Sequence, residues 1–279
     1  SPSRYDGKVT INEHLGASDQ AADSDLVANV AEWTTNHRLR GIAYLYVKLK
    51  FDADAFPNGV PTITSVIRGK KVYDPRDDTT SWSSNPALCI RDYLTNTGYG
   101  LGEVAANVDD TLVSTAANVC DFANFPTLTG DPKFTCNGAF TTAVTPYDFL
   151  GEVLTSMGGL LWYGQGQWRM KPAYYVAPTI AFDEDDLRSS VSLSTRHSRR
   201  DNFNTVKGTF RGSETNWQTT DYPEVSNAAF VTEDNGQTSV VDINLPFTSE
   251  STIARRIANT ALERNRQQLT ISASFGMRA

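Results

Sequence analysis

Asp183, Glu184, Asp185 and Asp186 stand side by side and form the densest acidic cluster in the chain. Such a cluster suits a Ca²⁺ site or the acid pair of a glycosidase. Calcium loops, however, space their carboxylates with intervening residues and a glycine, and adjacent carboxylates point in different directions. A solvated linker or helix start, where acids face the N-terminal dipole, accounts for the run more simply. Nucleophilic catalysis needs Ser, Cys or Thr held beside a histidine, yet His14, His37 and His197 are scattered and no G-x-S-x-G elbow is present. His37, in TTNHRLRG, reads as a turn or strand-entry residue. His197 lies in STRHSRRD, where Arg199 and Arg200 extend a basic run able to hold an anion, offset by the neighbouring Asp201.

Cys89, Cys120 and Cys136 are odd in number and lack CxxC spacing, which argues against zinc. Free, mostly buried thiols are expected, with a Cys120–Cys136 bridge as the alternative. Gly100-Leu101-Gly102 and Gly164-Gln165-Gly166 belong to no strand–GxGxxG–helix unit, so both are turns rather than phosphate loops. Trp162, Tyr163 and Trp168 flank one expected hairpin, followed by Tyr174 and Tyr175. Aromatic platforms bind sugars and partner proteins, but a hairpin packed on a neighbouring helix buries the same rings as core, which is the reading favoured here. No catalytic, cofactor-binding or metal-ligating residue is assigned.

The elements that would position these residues follow from periodicity. In Leu39 to Phe51, Leu45, Val47, Leu49 and Phe51 alternate with Tyr44, Tyr46, Lys48 and Lys50, predicting one long strand with an apolar and an amphipathic face. After the turn residues Pro57, Asn58, Gly59 and Pro61, a strand is expected to Ile67, then a tight turn at Arg68-Gly69-Lys70 and a short strand at Val72-Tyr73. Asn85 followed by Pro86 opens a helix, PALCIRDYLT, that stops at the glycines of GYGLG. A second helix follows Asp109-Asp110, with Leu112, Val113, Ala116, Val119 and Cys120 on one side. Thr145 caps the third, and Leu150, Val153, Leu154 and Met157 form its apolar stripe. LLWYGQGQWRMKP reads as a hairpin turning at Gly164-Gln165-Gly166. FNTVKGTF places Val206 and Phe210 on one face, and FVTEDNGQTSVVDINL reads as two strands joined at Asp234-Asn235-Gly236. A helix from about Glu250 to Arg266, with Ile253, Ile257 and Ala261 buried, hands over to an alternating strand with Leu269, Ile271, Ala273 and Phe275.

Composition bounds the rest. With 279 residues, 39% hydrophobic and 20% charged, the chain has material for a packed core and for two or three compact units. The division predicted is a β-rich segment over 1–80, an α+β domain over 81–188 and a β region with one helix over 189–279, for which the resemblance described below implies a barrel-like form. The net charge of −7 argues against a nucleic-acid partner, and no apolar run is long enough to span a bilayer. The start, SPSRYDGKV, lacks an initiator Met and an apolar signal core, so the chain is read as a piece of a longer one.

Several blocks taken in order resemble a known family: HRLRGIAYLYVKLKFDADAFPNGVPTITSVIRGKKVYDPR, WSSNPALCIRDYLTNTGYGLG, FTCNGAF, PYDFLGEVLTSMGGLLWYGQGQWRMKP and TSESTIARRIANTALERNRQQLTIS. They look like successive parts of the tail hub or tip attachment proteins of long-tailed bacteriophages, the lambda protein J type. The most specific pieces are Trp82 through Leu94 with Tyr99-Gly100-Leu101-Gly102, and Phe134-Thr135-Cys136-Asn137; the first 30 residues match more vaguely.

The resemblance implies an α+β, β-rich fold in which β-barrel-like hub domains flank an α+β domain. It implies a non-enzymatic structural protein that closes the distal end of a phage or prophage tail tube and links it to the host-attachment tip. Its partners would be two further copies in a homotrimer, tube and tip proteins, and the tape-measure protein, with DNA only passing through the lumen. The implied location is the virion tail tip, after assembly in the host bacterial cytoplasm. The alternatives are a tail-associated cell-wall glycosidase, for which no pair of opposed acids stands out, and a carbohydrate- or receptor-binding module using the Trp162/Trp168 hairpin.

Overall fold

The computed structural model describes residues 4–122, 133–177, 181–195, 198 and 201–276. The chain separates into two compact units, Ser1–Ile67 and Arg68–Ala279.

In the first unit, β1 (Val9–Leu15) is followed by the six-residue helix α1 (Ser24–Asn29) and by β2 (Ala43–Leu49). The two strands pair antiparallel in the register Ile11↔Val47, Glu13↔Leu45. Because side chains alternate across a strand, this register gathers Val9, Ile11, Leu15, Leu45, Val47 and Leu49 on one face. Asn12, His14, Tyr44, Tyr46 and Lys48 share the other. The strand predicted over Leu39–Phe51 is thus shorter at both ends, and its partner comes from the part of the sequence where no strand was assigned. The strand expected up to Ile67 does not form either: residues 61–70 have no regular structure, and Val66 and Ile67 are exposed. Among the described residues no strand takes up their backbone groups, so apolar alternation alone does not produce a ladder there.

The second unit begins with the hairpin β3 (Lys71–Asp74) and β4 (Thr79–Trp82). Its turn lies at 75–78, not at Arg68-Gly69-Lys70. Asp74 accepts from the Arg76 amide (3.0 Å) and Asp77 from the Thr79 amide (3.1 Å), so two aspartates close the loop by Asx turns. The helix α2 (Pro86–Thr95) starts as its sequence predicts, with Asn85 Oδ1 accepting from the Ala87 amide. α3 (Asp110–Asp121) is capped by Asp109, and α4 (Pro146–Thr155) by Thr145. β5 (Leu160–Gly164) and β6 (Gln167–Lys171) form the predicted hairpin, and Gln165 and Gly166 both take positive φ, as a two-residue turn matching strand twist requires.

Further along come the short strands β7 (Ser192–Ser194), β8 (Thr205–Lys207), β9 (Thr209–Arg211), β10 (Thr219–Asp221) and β11 (Val225–Ser226). The chain continues through α5 (Ala228–Glu233), β12 (Val240–Asp242), α6 (Ser251–Asn265) and β13 (Thr270–Ser272). The hairpin expected at Asp234-Asn235-Gly236 is a helix exit instead. Asn227 accepts from the Ala229 amide and opens α5, while Asn235 and Gly236 adopt positive φ and the Gly236 amide returns to Val231 O (2.8 Å). The same Asn-Gly pair serves a hairpin or a helix end, and the upstream cap decides between them. β12 then pairs parallel with β8, whose other edge holds β11.

One hydrophobic core runs through the second unit, from Val72 and the α2 residues Leu88, Ile90 and Leu94 through Val113, Phe149 and Val153 to Val206, Phe210, Ile257 and Leu262. The fold is α+β with substantial strand content. Among the described residues the sheets have two or three strands and none closes on itself, so the barrel-like flanks implied by the resemblance are not seen. Strands of two to seven residues joined in twos and threes are too short and too few for closure.

Candidate interaction surfaces

Among the described residues, the acidic run and the histidines have local structural uses. Asp183 accepts from the Asp185 amide (3.1 Å) and its own amide donates to Asp186 Oδ2 (3.1 Å), so the acidic run is spent on a capping box around one 3₁₀ turn. Among the described residues no group of three or more His, Cys, Asp or Glu converges as a metal site would demand. His37 closes a turn: its Nδ1 accepts from the Thr34 amide at 2.9 Å, and its ring lies 5.1 Å from that of Trp33. His197, Arg199 and Arg200 lie outside the described residues.

His14 has the most developed surroundings. Its Nε2 donates to Asp23 Oδ2 at 2.7 Å, and its ring stacks on Tyr44 at 4.4 Å. Asp23 also accepts from Asn12 Nδ2 and, through Oδ1, from the amides of Asp25 and Leu26 that open α1. Burial pushes this carboxyl up, but the hydrogen bonds from His14, the Leu26 amide, Asn12 and the Asp25 amide outweigh it and hold its pKa at about 2. With both oxygens committed, Asp23 ties α1 to the polar face of the β1–β2 sheet. Next to it Asp25 accepts from Tyr46 Oη (2.9 Å) and Lys48 Nζ (3.0 Å). Sequence reasoning missed this cluster; the period-2 placement of Asn12 and His14 opposite Tyr44 and Tyr46 was the available signal.

The consequence for the sheet is an inversion of the usual arrangement. Within the unit, α1 covers the polar face, and the apolar face stays open, with Leu15 85% and Ile11 56% exposed. Exposed apolar side chains gathered on one strand pair mark a surface that another molecule or segment covers.

The hairpin β5–β6 divides its aromatic residues by strand period. Leu161, Tyr163, Trp168 and Met170 share the inner face; Met170 is buried, and Trp168 packs on the core while its Nε1 donates to Glu103 (3.2 Å). Trp162 and Leu160 point the other way and are 41% and 61% exposed, and Tyr174 and Tyr175 are also exposed. The expectation that these rings are core therefore holds for Trp168 and fails for Trp162, because only one face of a two-stranded hairpin can rest on the helices. It fails too for Tyr163, on the inner face but next to the turn, and for Tyr174 and Tyr175, which follow the hairpin. Two shallow depressions beside α6 complete the surface: one of about 430 Å³ lined by Asp201, Phe203 and Asn265, and one of about 340 Å³ between α4 and α6 lined by Leu154, Ile243 and Ile257. Neither brings a carboxylate pair or a nucleophile with its base into one cavity.

Gly100 shows why the GYGLG loop is built as it is. A Cβ there would lie 1.8 Å from Tyr93 O, the acceptor of the Leu101 amide, so the loop rests directly on the end of α2. The reading of Gly100-Leu101-Gly102 as a turn stands. The three cysteines are unbridged, and Cys120 is buried on α3, where burial pushes its thiol up to about 12. Cys136 is not bridged to Cys120; its thiol neighbours that of Cys89, which together with burial keeps it well above the ordinary thiol range.

No family model matches the chain. Among curated proteins it is similar to the tip attachment protein J of Escherichia phage SECphi27, at 23% identity over 272 residues. That alignment takes in 90% of this chain and 22% of the relative, so the chain spans about a fifth of the relative's length. Among solved structures its fold is similar to that of a chain in the virion of a native gene transfer agent particle, with a TM-score of 0.55 and 18% identity, covering 95% of this chain and 61% of that one. The resemblance to phage tip attachment proteins read from the sequence is a weak homology that extends over most of the chain.

Proposed function

We propose that this chain is a structural protein of a phage or phage-like virion, a segment of the hub that closes the distal end of the tail tube and links it to the host-attachment tip. The observation that carries the proposal is the similarity to a phage tip attachment protein along 90% of the chain. The likeness of fold to a gene transfer agent virion chain supports the same reading.

The surfaces suit assembly more than catalysis. The open apolar face with Ile11 and Leu15 in one unit, and the exposed Leu160 and Trp162 beside Arg169 and Lys171 in the other, offer area for contacts with further protein chains. Three copies arranged around a lumen, joined to tube and tip proteins and to the tape-measure protein, would bury such faces in heterologous contacts that close into a ring. Barrel-like hub domains, on this reading, are completed by strands from the rest of the longer protein or from neighbours. The negative net charge does not hinder DNA passing through the lumen.

Immunogold electron microscopy of tailed particles with an antibody raised against this chain tests the proposal. Gold is expected at the tail end distal to the head. Labelling confined to the head, or particles that lack the chain altogether, would overturn it.

A further inference from the structure

The two partly exposed cysteines of the second unit come from segments far apart in sequence and are held together by backbone contacts. Cys89 lies in the first turns of α2, with its amide bonded to Asn85 O (3.1 Å) and its Sγ 3.8 Å from Ser83 O. The Cys136 amide donates to Ser84 O at 2.7 Å, next to the same residue, and the Asn137 amide donates to Phe247 O at 2.8 Å. The segment around Cys136 is thereby pinned along the entry of α2, which makes the two thiols neighbours. Cys120, by contrast, is enclosed in the core on α3.

From this placement we propose that Cys89 and Cys136 are a thiol pair that closes to an intramolecular disulfide when an organic disulfide such as glutathione disulfide is the oxidant. The Cys89 thiolate attacks one glutathione sulfur, forming a mixed disulfide and releasing one glutathione thiolate. The Cys136 sulfur then attacks Cys89 Sγ, the protein S–S bond forms, and the second glutathione leaves. The protein loses two electrons and two protons, and one glutathione disulfide becomes two glutathione thiols. Cys136 serves as the resolving thiol, since the neighbouring Cys89 and burial keep it protonated and slow to attack an external oxidant. The closed bridge would staple the segment at Cys136 to α2 and so constrain the unfolded chain.

The inference goes beyond the proposed function and rests on the chain's own geometry, so it stands or falls separately. The native chain is incubated with glutathione disulfide, remaining thiols are alkylated after unfolding, and peptides are mapped by mass spectrometry. The expected product has lost two hydrogens, retains one alkylated cysteine, Cys120, and yields a peptide linking Cys89 to Cys136 that disappears on reduction. Cys89→Ser, at a partly exposed position, should abolish the link and leave Cys136 alkylatable; Cys136→Ala should leave glutathione attached at Cys89. The oxidised chain should also melt at a higher temperature than the reduced one. A lasting glutathione adduct on Cys89 of the unsubstituted chain, a link involving Cys120, or no reaction of the native chain would each overturn the proposal.

Discussion

Arg91 on α2 grips Asp110 at the start of α3 through two parallel hydrogen bonds, Nε to Oδ1 at 2.6 Å and Nη2 to Oδ2 at 2.8 Å. The guanidinium also lies 4.5 Å from the centre of the Tyr73 ring, so one largely buried cation fixes α2, α3 and β3 against one another. A planar fork on a carboxylate sets orientation as well as distance, which lysine cannot reproduce. Asp110→Asn leaves that cation short of its counter-charge and should cost about 1–3 kcal/mol in denaturant unfolding. Arg91→Lys should recover only part of the loss from Arg91→Ala; full recovery would mean that the charge alone matters.

Two glycines separate backbone need from mere presence. Gly100 has no room for a Cβ against Tyr93 O, whereas Gly151, inside α4, has open space around it. Gly100→Ala should destabilise the second unit by at least about 1–3 kcal/mol through forced backbone movement. Gly151→Ala should stabilise it by about 0.5–1 kcal/mol, since alanine lowers the entropy of the unfolded helix. Thermal unfolding of the two variants in parallel checks both signs.

Core and open face should respond oppositely to truncation. Leu94 is fully buried on α2, and Leu94→Ala should cost about 2–5 kcal/mol. Leu15→Ser, on the uncovered side of the β1–β2 sheet, should shift stability by less than about 0.5 kcal/mol. If Leu15→Ser proves as costly as the core change, the apolar face is covered within the isolated chain.

Asp23 makes the first unit sensitive to acid. Its carboxyl is held at about 2, below the ordinary 3.8, so the folded state favours the ionised form more than the unfolded chain does. That contribution is complete above the unfolded value and is lost as the pH falls through the folded one. Between pH of about 4 and about 2 the unsubstituted chain should therefore lose more stability than Asp23→Asn. Circular dichroism melts at several pH values measure this, and parallel curves for the two proteins would show that the Asp23 cluster contributes nothing.

Local chemistry made much of the second unit legible in the sequence. Asn85-Pro86, Asp109 and Thr145-Pro146 announced three helix starts, because each cap satisfies backbone amides of its own first turn and needs no distant partner. The Gln165-Gly166 turn and the strands beside it were equally local. The division of the aromatics was half legible: alternation separates Trp162 from Trp168, but the sequence does not say which face the helices cover.

Where two segments distant in the chain must agree, the tertiary structure decided. The partner of β2 is β1 from the least patterned part of the sequence, and α1, held by Asp23 to His14 and Asn12, covers the tyrosine-rich face and leaves the aliphatic one open. Asn235-Gly236 end a helix because Asn227 caps it, although the same pair would equally turn a hairpin. Cys136 becomes a neighbour of Cys89 because backbone hydrogen bonds lay its segment along the entry of α2. Caps and turns are encoded within a few residues, so they are readable one segment at a time. Strand partners, covered faces and thiol pairs depend on which surfaces compete best for burial, and that competition is settled only when the whole chain has folded.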